Sequence, residues 1–194
     1  MNLVLTNIYL FVMASVLAVL EIQIEGEHGW AKNLPAWRPH SSKWYVRLYS
    51  KIMGGKELTG YHISMFTLVL LIFHLPYVFG LTFTPEHWVK TLSLFFMFVV
   101  LWDFLWFVLN PYYPLKQFNK EHILWHNKWL WKAPVDYCSG ILASLLIILP
   151  VSLFDLSFFH WWLINIILFG SQTILVTLFT LYILHIDKWH EVKK

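Results

Sequence analysis

The segment WWLINIILFGSQTILVTLFTLYILH, residues 161–185, decides the class of fold to which this chain belongs. It carries no aspartate, glutamate, lysine or arginine along its whole length. A helix needs roughly 20 apolar residues to cross the ~30 Å hydrocarbon core of a membrane, so this segment is long enough to span it. Four earlier runs are also long enough, and the five predicted spans are residues 3–22, 61–83, 89–109, 136–154 and 161–185.

The overall composition supports the same class of fold. Of the 194 residues, 58% are hydrophobic and only 13% are charged, whereas a soluble domain usually carries about 25% charged residues. We therefore predict an all-α, polytopic integral membrane helical bundle in which residues 1–194 form a single membrane domain. The single cysteine, Cys138, excludes an intramolecular disulfide and a cysteine-rich metal site.

The basic residues predict the orientation of the bundle. With five spans, a single basic residue, Lys90, falls on one side of the membrane. The basic residues on the other side are Lys32, Arg38, Lys43, Arg47, Lys51, Lys56, Lys116, Lys120, Lys128, Lys132, Lys188, Lys193 and Lys194. The positive-inside rule makes that side cytoplasmic. We therefore expect an outside N-terminus, a cytoplasmic C-terminus and a location in the inner cell membrane, with most loops in the cytoplasm.

Two cytoplasmic segments, residues 41–53 and 116–132, are predicted to lie at the membrane surface. In the first, cations recur every fourth residue beside an apolar stripe; the cations are Lys43, Arg47 and Lys51, and the stripe is Trp44, Leu48 and Ile52. This pattern is typical of an amphipathic helix in the headgroup layer, with its cations facing anionic lipid. A juxtamembrane anchor without a further role is the alternative.

Polar residues near the cytoplasmic ends of the spans are the catalytic candidates. Asp103 lies inside span three, where an ionised carboxylate costs about 2.5–3.5 kcal/mol on insertion scales, so it should face the bundle interior. Asn110, seven residues on, shares its helical face, and Asp136 opens span four. We predict catalytic roles for Asp103, Asn110 and Asp136. The structural alternatives are an interhelical hydrogen bond for Asp103 and helix capping for Asp136.

The sequence HILWH, residues 122–126, places two imidazoles four residues apart. On a helix, His122 and His126 would share one face and could bind one metal ion. Carboxylates and further imidazoles lie at the same side of the membrane, and such a mixed ligand set suits iron or zinc. The predicted metal ligands are His122, His126, His62, Glu25, Glu21 and His185.

These patterns predict a membrane-embedded, metal-dependent enzyme with a site at the cytoplasmic interface. We expect membrane lipids around it and a lipid-like or isoprenoid-like substrate, with oxidoreductase and hydrolase chemistry both left open. One alternative is a b-type haem or quinone-linked electron-transfer subunit, in which His62 and His185 would be candidate haem ligands. Another is a non-enzymatic membrane subunit or assembly factor. A homo-oligomer or a larger membrane complex is left open.

Several classes of function are excluded by missing motifs. The chain has no phosphate-binding glycine loop, no GxSxG elbow and no CxxC pair, which argues against nucleotide hydrolysis, serine hydrolase chemistry and thiol redox chemistry. The positive charge is explained by membrane topology and attraction to lipid, so no nucleic acid partner is expected.

Overall fold

The computed structural model describes residues 2–113 and 115–189. Two basic residues used for the predicted orientation, Lys193 and Lys194, lie outside the described residues. The helices of the described part are α1 (Leu3–Glu25), α2 (Trp44–Ile52), α3 (Gly60–Val78), α4 (Pro85–Leu109), α5 (Val135–Ser152) and α6 (Ser157–Leu178). A π-helical turn, Phe179–Ile183, extends α6, and short 3₁₀ turns cover Leu115–Gln117 and Ile186–Lys188.

Five helices in the described part of the chain are long and apolar enough to cross a membrane, which equals the number of predicted spans. They are α1, α3, α4, α5 and α6 with its π-helical turn. The chain is mostly helical, as predicted, but it also contains a small antiparallel hairpin. Its strands are β1 (Trp129–Leu130) and β2 (Ala133–Pro134), with Trp129 opposite Pro134.

Two helices begin or end at residues other than the predicted ones, for reasons that lie in the local sequence. Helix α4 begins at Pro85 rather than at residue 89, because the Thr84 side chain caps its first turn and proline suits the first helical position. Helix α3 ends at Val78 rather than at residue 83. Gly80 follows with φ of 101°, a left-handed conformation that glycine adopts without steric cost.

Helix α4 is the central helix of the bundle. In its membrane-length segment 56% of the residues are buried, compared with 28% or less in the other four spans. It packs against α1, α3, α5 and α6. Helix α5 comes close to it at Gly140, where an added Cβ would lie 2.5 Å from Val100 Cγ2. Because four helices pack around α4, a polar side chain on α4 lies between neighbouring helices.

Hydrogen bonds between spans supplement the apolar packing. The Asn7 amide donates to Asn165 Oδ1 at 3.0 Å and joins α1 to α6. The Ser93 hydroxyl of α4 donates to the Ser144 carbonyl oxygen of α5, and Trp162 of α6 donates to the Ser144 hydroxyl. Such bonds average about 0.6 kcal/mol between membrane helices. Together they fix how α1, α5 and α6 are rotated about their own axes.

The two predicted surface segments have different structures. Residues 41–53 contain the helix α2, and its three stripe residues Trp44, Leu48 and Ile52 are exposed. Residues 116–132 form turns, irregular backbone and the strand β1 instead of a helix. The expectation that the histidines of HILWH share a helix face is therefore wrong, because the helical spacing does not exist there.

Candidate functional site

Ionisable side chains from four spans meet at one end of the bundle. Helix α1 ends there with Glu21 and Glu25, and α3 begins there with His62. Helix α4 contributes Asp103 near its end, and α5 contributes Asp136 from its first turn. All of these except Glu25 line a cavity of about 310 Å³.

A buried lysine from the loop before α3 joins the two aspartates. Lys56 Nζ lies 2.7 Å from Asp136 Oδ2 and 3.6 Å from Asp103 Oδ1. Only 2% of the Lys56 side chain is exposed. A charge that is removed from water must be paired to be tolerated, and here two spans each supply one carboxylate. The ion pairs therefore tie the loop before α3 to α4 and α5.

His126 and Tyr137 complete this group. His126 Nδ1 lies 3.0 Å from Asp136 Oδ1, and its Nε2 lies 3.5 Å from Asp103 Oδ2. The Tyr137 hydroxyl donates a hydrogen bond to Asp103 Oδ2. Despite these contacts, 27% of the Asp103 side chain is exposed, compared with 8% for Asp136. We call Lys56, Asp103, His126, Asp136 and Tyr137 the aspartate cluster.

Glu21, Glu25 and His62 form a second group, which we call the glutamate cluster. His62 Nε2 lies 4.0 Å from Glu21 Oε1 and 3.9 Å from Glu25 Oε1. The other ring nitrogen, Nδ1, lies 2.7 Å from the hydroxyl of Thr59, which orients the ring with Nε2 toward the carboxylates. All three side chains are buried, and one candidate ligand atom of each lies within 4.8 Å of the others. This arrangement could hold a metal ion.

Trp30 contacts both clusters. Its ring stacks on His62 with the centroids 3.8 Å apart, and Lys56 Nζ lies 4.0 Å from the ring centroid. The amide of the next residue, Ala31, donates a hydrogen bond to Glu25 Oε1. Trp30 and Ala31 have φ of 61° and 52°, a left-handed conformation that costs a non-glycine residue on the order of 1–3 kcal/mol. These contacts with the clusters hold the chain in that conformation.

The cavity continues from the aspartate cluster as an apolar cleft. Its walls come from α3, α4 and α5, and they include Phe66, Phe95, Phe96, Val99, Gly140 and Ala143. Phe95 precedes Asp103 by eight residues, so the cleft runs about 12 Å along α4. Phe95, Val99 and Ala143 are only partly buried within the chain. The cleft therefore lies between α3, α4 and α5 and is not fully enclosed by the chain.

Tyr49 of α2 borders the polar end of the cavity. Its hydroxyl oxygen is buried and has no hydrogen-bond partner within residues 2–113 and 115–189. Burial raises the pKa of Tyr49 above its ordinary value, because the charged phenolate is poorly solvated there. Tyr49 therefore places a neutral hydroxyl without a hydrogen-bond partner in the described residues beside the cavity.

The structure brings together six of the predicted site residues and leaves three apart. The six are Glu21, Glu25, His62, Asp103, His126 and Asp136. Asn110 instead donates to the Gly26 carbonyl oxygen at 3.0 Å and so joins the end of α4 to the end of α1. His122 is exposed and lies against Asn119, and His185 is exposed after the last span. The catalytic role of Asn110 and the metal roles of His122 and His185 stay predictions without support from this geometry.

Sequence reasoning missed the central cation of the site. The sequence assigns Lys56 only to the cytoplasmic charge that sets the orientation. The available signal was the pair Gly54–Gly55 directly before it, since both have positive φ, of 64° and 103°, and turn the chain back toward the bundle. Asn127 secures this turn by donating to the Gly55 carbonyl oxygen at 3.0 Å. Trp30, Tyr49 and Tyr137 were also missed, because aromatic residues are too frequent in this chain to stand out.

No known protein family, curated protein or solved structure matches this chain. Five helices in the described residues are long and apolar enough to cross a membrane, which is compatible with a helical membrane protein.

Proposed function

We propose that the chain is a membrane-embedded, metal-dependent enzyme that acts on a lipid-like substrate at one face of the membrane. The observation that carries this proposal is the position of Asp103. It is a partly exposed carboxylate at the point where an apolar cleft meets two groups of buried ionisable side chains. The distribution of basic residues makes that face cytoplasmic.

The cleft supports a substrate with an apolar chain. Phenylalanine and valine side chains line it, and several of its lining residues are only partly buried within the chain. An acyl or isoprenoid chain would enter from the bilayer between α3 and α5 and lie along α4. Its polar end would then reach Asp103, with the neutral Tyr49 hydroxyl as a further hydrogen-bond partner.

Asp103 is the candidate general base among the residues of the aspartate cluster. It lines the cavity and is the most exposed of the cluster's charged groups. Lys56 and Tyr137 hold its carboxylate in one orientation, and the contact with His126 adds a third restraint. A positioned carboxylate of this kind can take a proton from a substrate hydroxyl or from water.

The glutamate cluster is the candidate metal centre. Two carboxylates and one imidazole suit zinc or iron and leave further coordination positions for water or substrate. Ligands about 2.1 Å from a tetrahedral ion lie about 3.4 Å apart. His62 Nε2, at 4.0 and 3.9 Å from the oxygens of Glu21 and Glu25, would therefore need to approach each of them by about 0.5 Å. The charge balance also favours a cation. Lys56 pairs with Asp103 and Asp136, and no lysine or arginine in the described residues forms an ion pair with Glu21 or Glu25. A metal here would polarise a substrate or activate water or oxygen.

The predicted haem alternative has less support. His62 is enclosed by Trp30 and two glutamates, whereas its proposed partner His185 is exposed after the last span. The non-enzymatic alternative does not explain why a carboxylate is held partly open beside an apolar cleft. We therefore favour the enzyme.

Lipid conversion by the purified protein tests this proposal. The substrate source is the total lipid extract of cells that naturally make the protein, and mass spectrometry compares the lipids before and after incubation. Wild type should change at least one lipid species, and Asp103→Asn should abolish that change while the protein stays folded, because Lys56 keeps its 2.7 Å ion pair with Asp136. Tyr137→Phe, which removes one hydroxyl, should slow it. Asp155→Asn, an exposed position at the other end of α5, is the matched control. Equal conversion by Asp103→Asn and wild type would overturn the catalytic assignment.

A further inference from the structure

A second, basic groove lies beside the cleft and outside the proposed catalytic site. It has a volume of about 620 Å³ and is bordered by α2, by the loop before α3 and by the segment before β1. The basic residues that line it are Arg38, Arg47, Lys51, Lys56 and Lys128, against one acidic residue, Glu57. The groove therefore carries a strong excess of positive charge.

Two of these cations are already engaged within the protein. Arg38 donates to Glu57 at 3.1 Å and to the carbonyl oxygens of Leu34 and Ala36. Lys56 Nζ is paired with the two aspartates on the other side of the loop. Glu57, the acid of the groove, is thus neutralised by Arg38.

The remaining three cations have no acidic partner. Arg47, Lys51 and Lys128 are exposed, and none of them forms an ion pair with a carboxylate in the described residues. They come from two distant parts of the chain, which the hydrogen bond from Asn127 to Gly55 holds together. Three unpaired cations around one concave surface create a site for an anion with several oxygen atoms.

The position of the groove on α2 indicates that the anion belongs to a membrane lipid. At 100° per residue, Arg47 and Lys51 lie about 40° apart around the axis of α2. They lie between the exposed apolar stripe on one side and the groove residues Val46 and Ser50 on the other. The stripe is Trp44, Leu48 and Ile52. When this stripe enters a membrane, the groove lies at the depth of the lipid phosphates.

We propose that this groove binds the phosphate of an anionic phospholipid headgroup through Arg47, Lys51 and Lys128. Attraction of a basic helix to a charged membrane would involve every cation on that face equally. A specific binding site, by contrast, involves only the cations that line it. Lys43 of the same segment does not line the groove and should contribute little to binding of the lipid.

Native mass spectrometry of the full-length protein in a neutral detergent tests this site. The probes are dioleoyl phosphatidylglycerol and dioleoyl phosphatidylcholine. Wild type should bind phosphatidylglycerol about tenfold or more tightly than phosphatidylcholine, and Arg47→Gln/Lys128→Gln should lose about tenfold or more of that affinity. Lys43→Gln/Lys116→Gln removes the same charge outside the groove and should change it by about twofold or less.

Three results would overturn the groove site or its lipid assignment. Equal weakening by the control pair would show that the attraction is only a general effect of charge. Equal binding of both lipids would show that the groove does not select a headgroup with a net negative charge. If sn-glycerol 3-phosphate displaces phosphatidylglycerol at similar concentrations, the ligand is a soluble phosphate and the lipid assignment is wrong. Asp103→Asn should bind phosphatidylglycerol as wild type does, so failure of the catalytic proposal leaves this result unchanged.

Discussion

Replacing Lys56 with methionine should destabilise the protein strongly. Methionine keeps much of the apolar stem but removes the charge that pairs with Asp103 and Asp136 at 3.6 and 2.7 Å. Removing one partner of a buried ion pair costs about 3–5 kcal/mol, because the opposite charge stays buried without compensation. For a chain of this size, 1 kcal/mol corresponds to a shift of about 2–4 °C. The melting temperature should therefore fall by ~6–20 °C.

Thermal unfolding in detergent, followed by tryptophan fluorescence, measures this effect. Lys32→Met is the matched control, because Lys32 is an exposed lysine of the loop between α1 and α2, and it should change the free energy of unfolding by about 0.5 kcal/mol or less. Adding Asp136→Asn to Lys56→Met should restore about 0.5–3 kcal/mol, because the two residues interact directly. Equal melting temperatures for Lys56→Met and Lys32→Met would refute the buried ion pairs.

Two further substitutions test the packing of the bundle by the same unfolding assay. Gly140→Val should lower the free energy of unfolding by about 1–3 kcal/mol, since its Cβ would collide with Val100, whereas Gly170→Ala, with open space around it, should be neutral. Asn7→Ala removes the hydrogen bond to Asn165 and should cost about 0.6–1.7 kcal/mol; no measurable loss would show that this bond does not hold α1 against α6.

The number of spans was predictable because each depends on its own composition. A run such as residues 161–185 can form a helix of membrane length wherever its neighbours lie, since its backbone polar groups can be satisfied within the helix. Helix ends were less predictable, because they depend on single capping residues such as Thr84. The helical spacing assumed for His122 and His126 was wrong, since the sequence HILWH fits an irregular segment as well as a helix.

The composition of the site was only partly predictable. Glu21, Glu25 and Asp103 stood out because carboxylates are costly inside or beside a membrane span. Lys56 did not, because a lysine in a cytoplasmic loop is ordinarily exposed, and only the three-dimensional path of the Gly54–Gly55 turn places it between two aspartates. His126 was identified through its spacing from His122, yet its partners in the structure are Asp103 and Asp136.

The metal content of the purified protein tests the central claim most directly. Protein prepared without chelators should carry roughly one transition-metal ion per chain, because the two carboxylates and the imidazole of the glutamate cluster lie close enough to bind one. Glu21→Gln and His62→Gln should each lower that content strongly, whereas Glu27→Gln, an exposed carboxylate just after α1, should not. Asp103→Asn should retain the metal. A wild-type protein without stoichiometric metal, or equal metal loss in Glu27→Gln, would contradict the account.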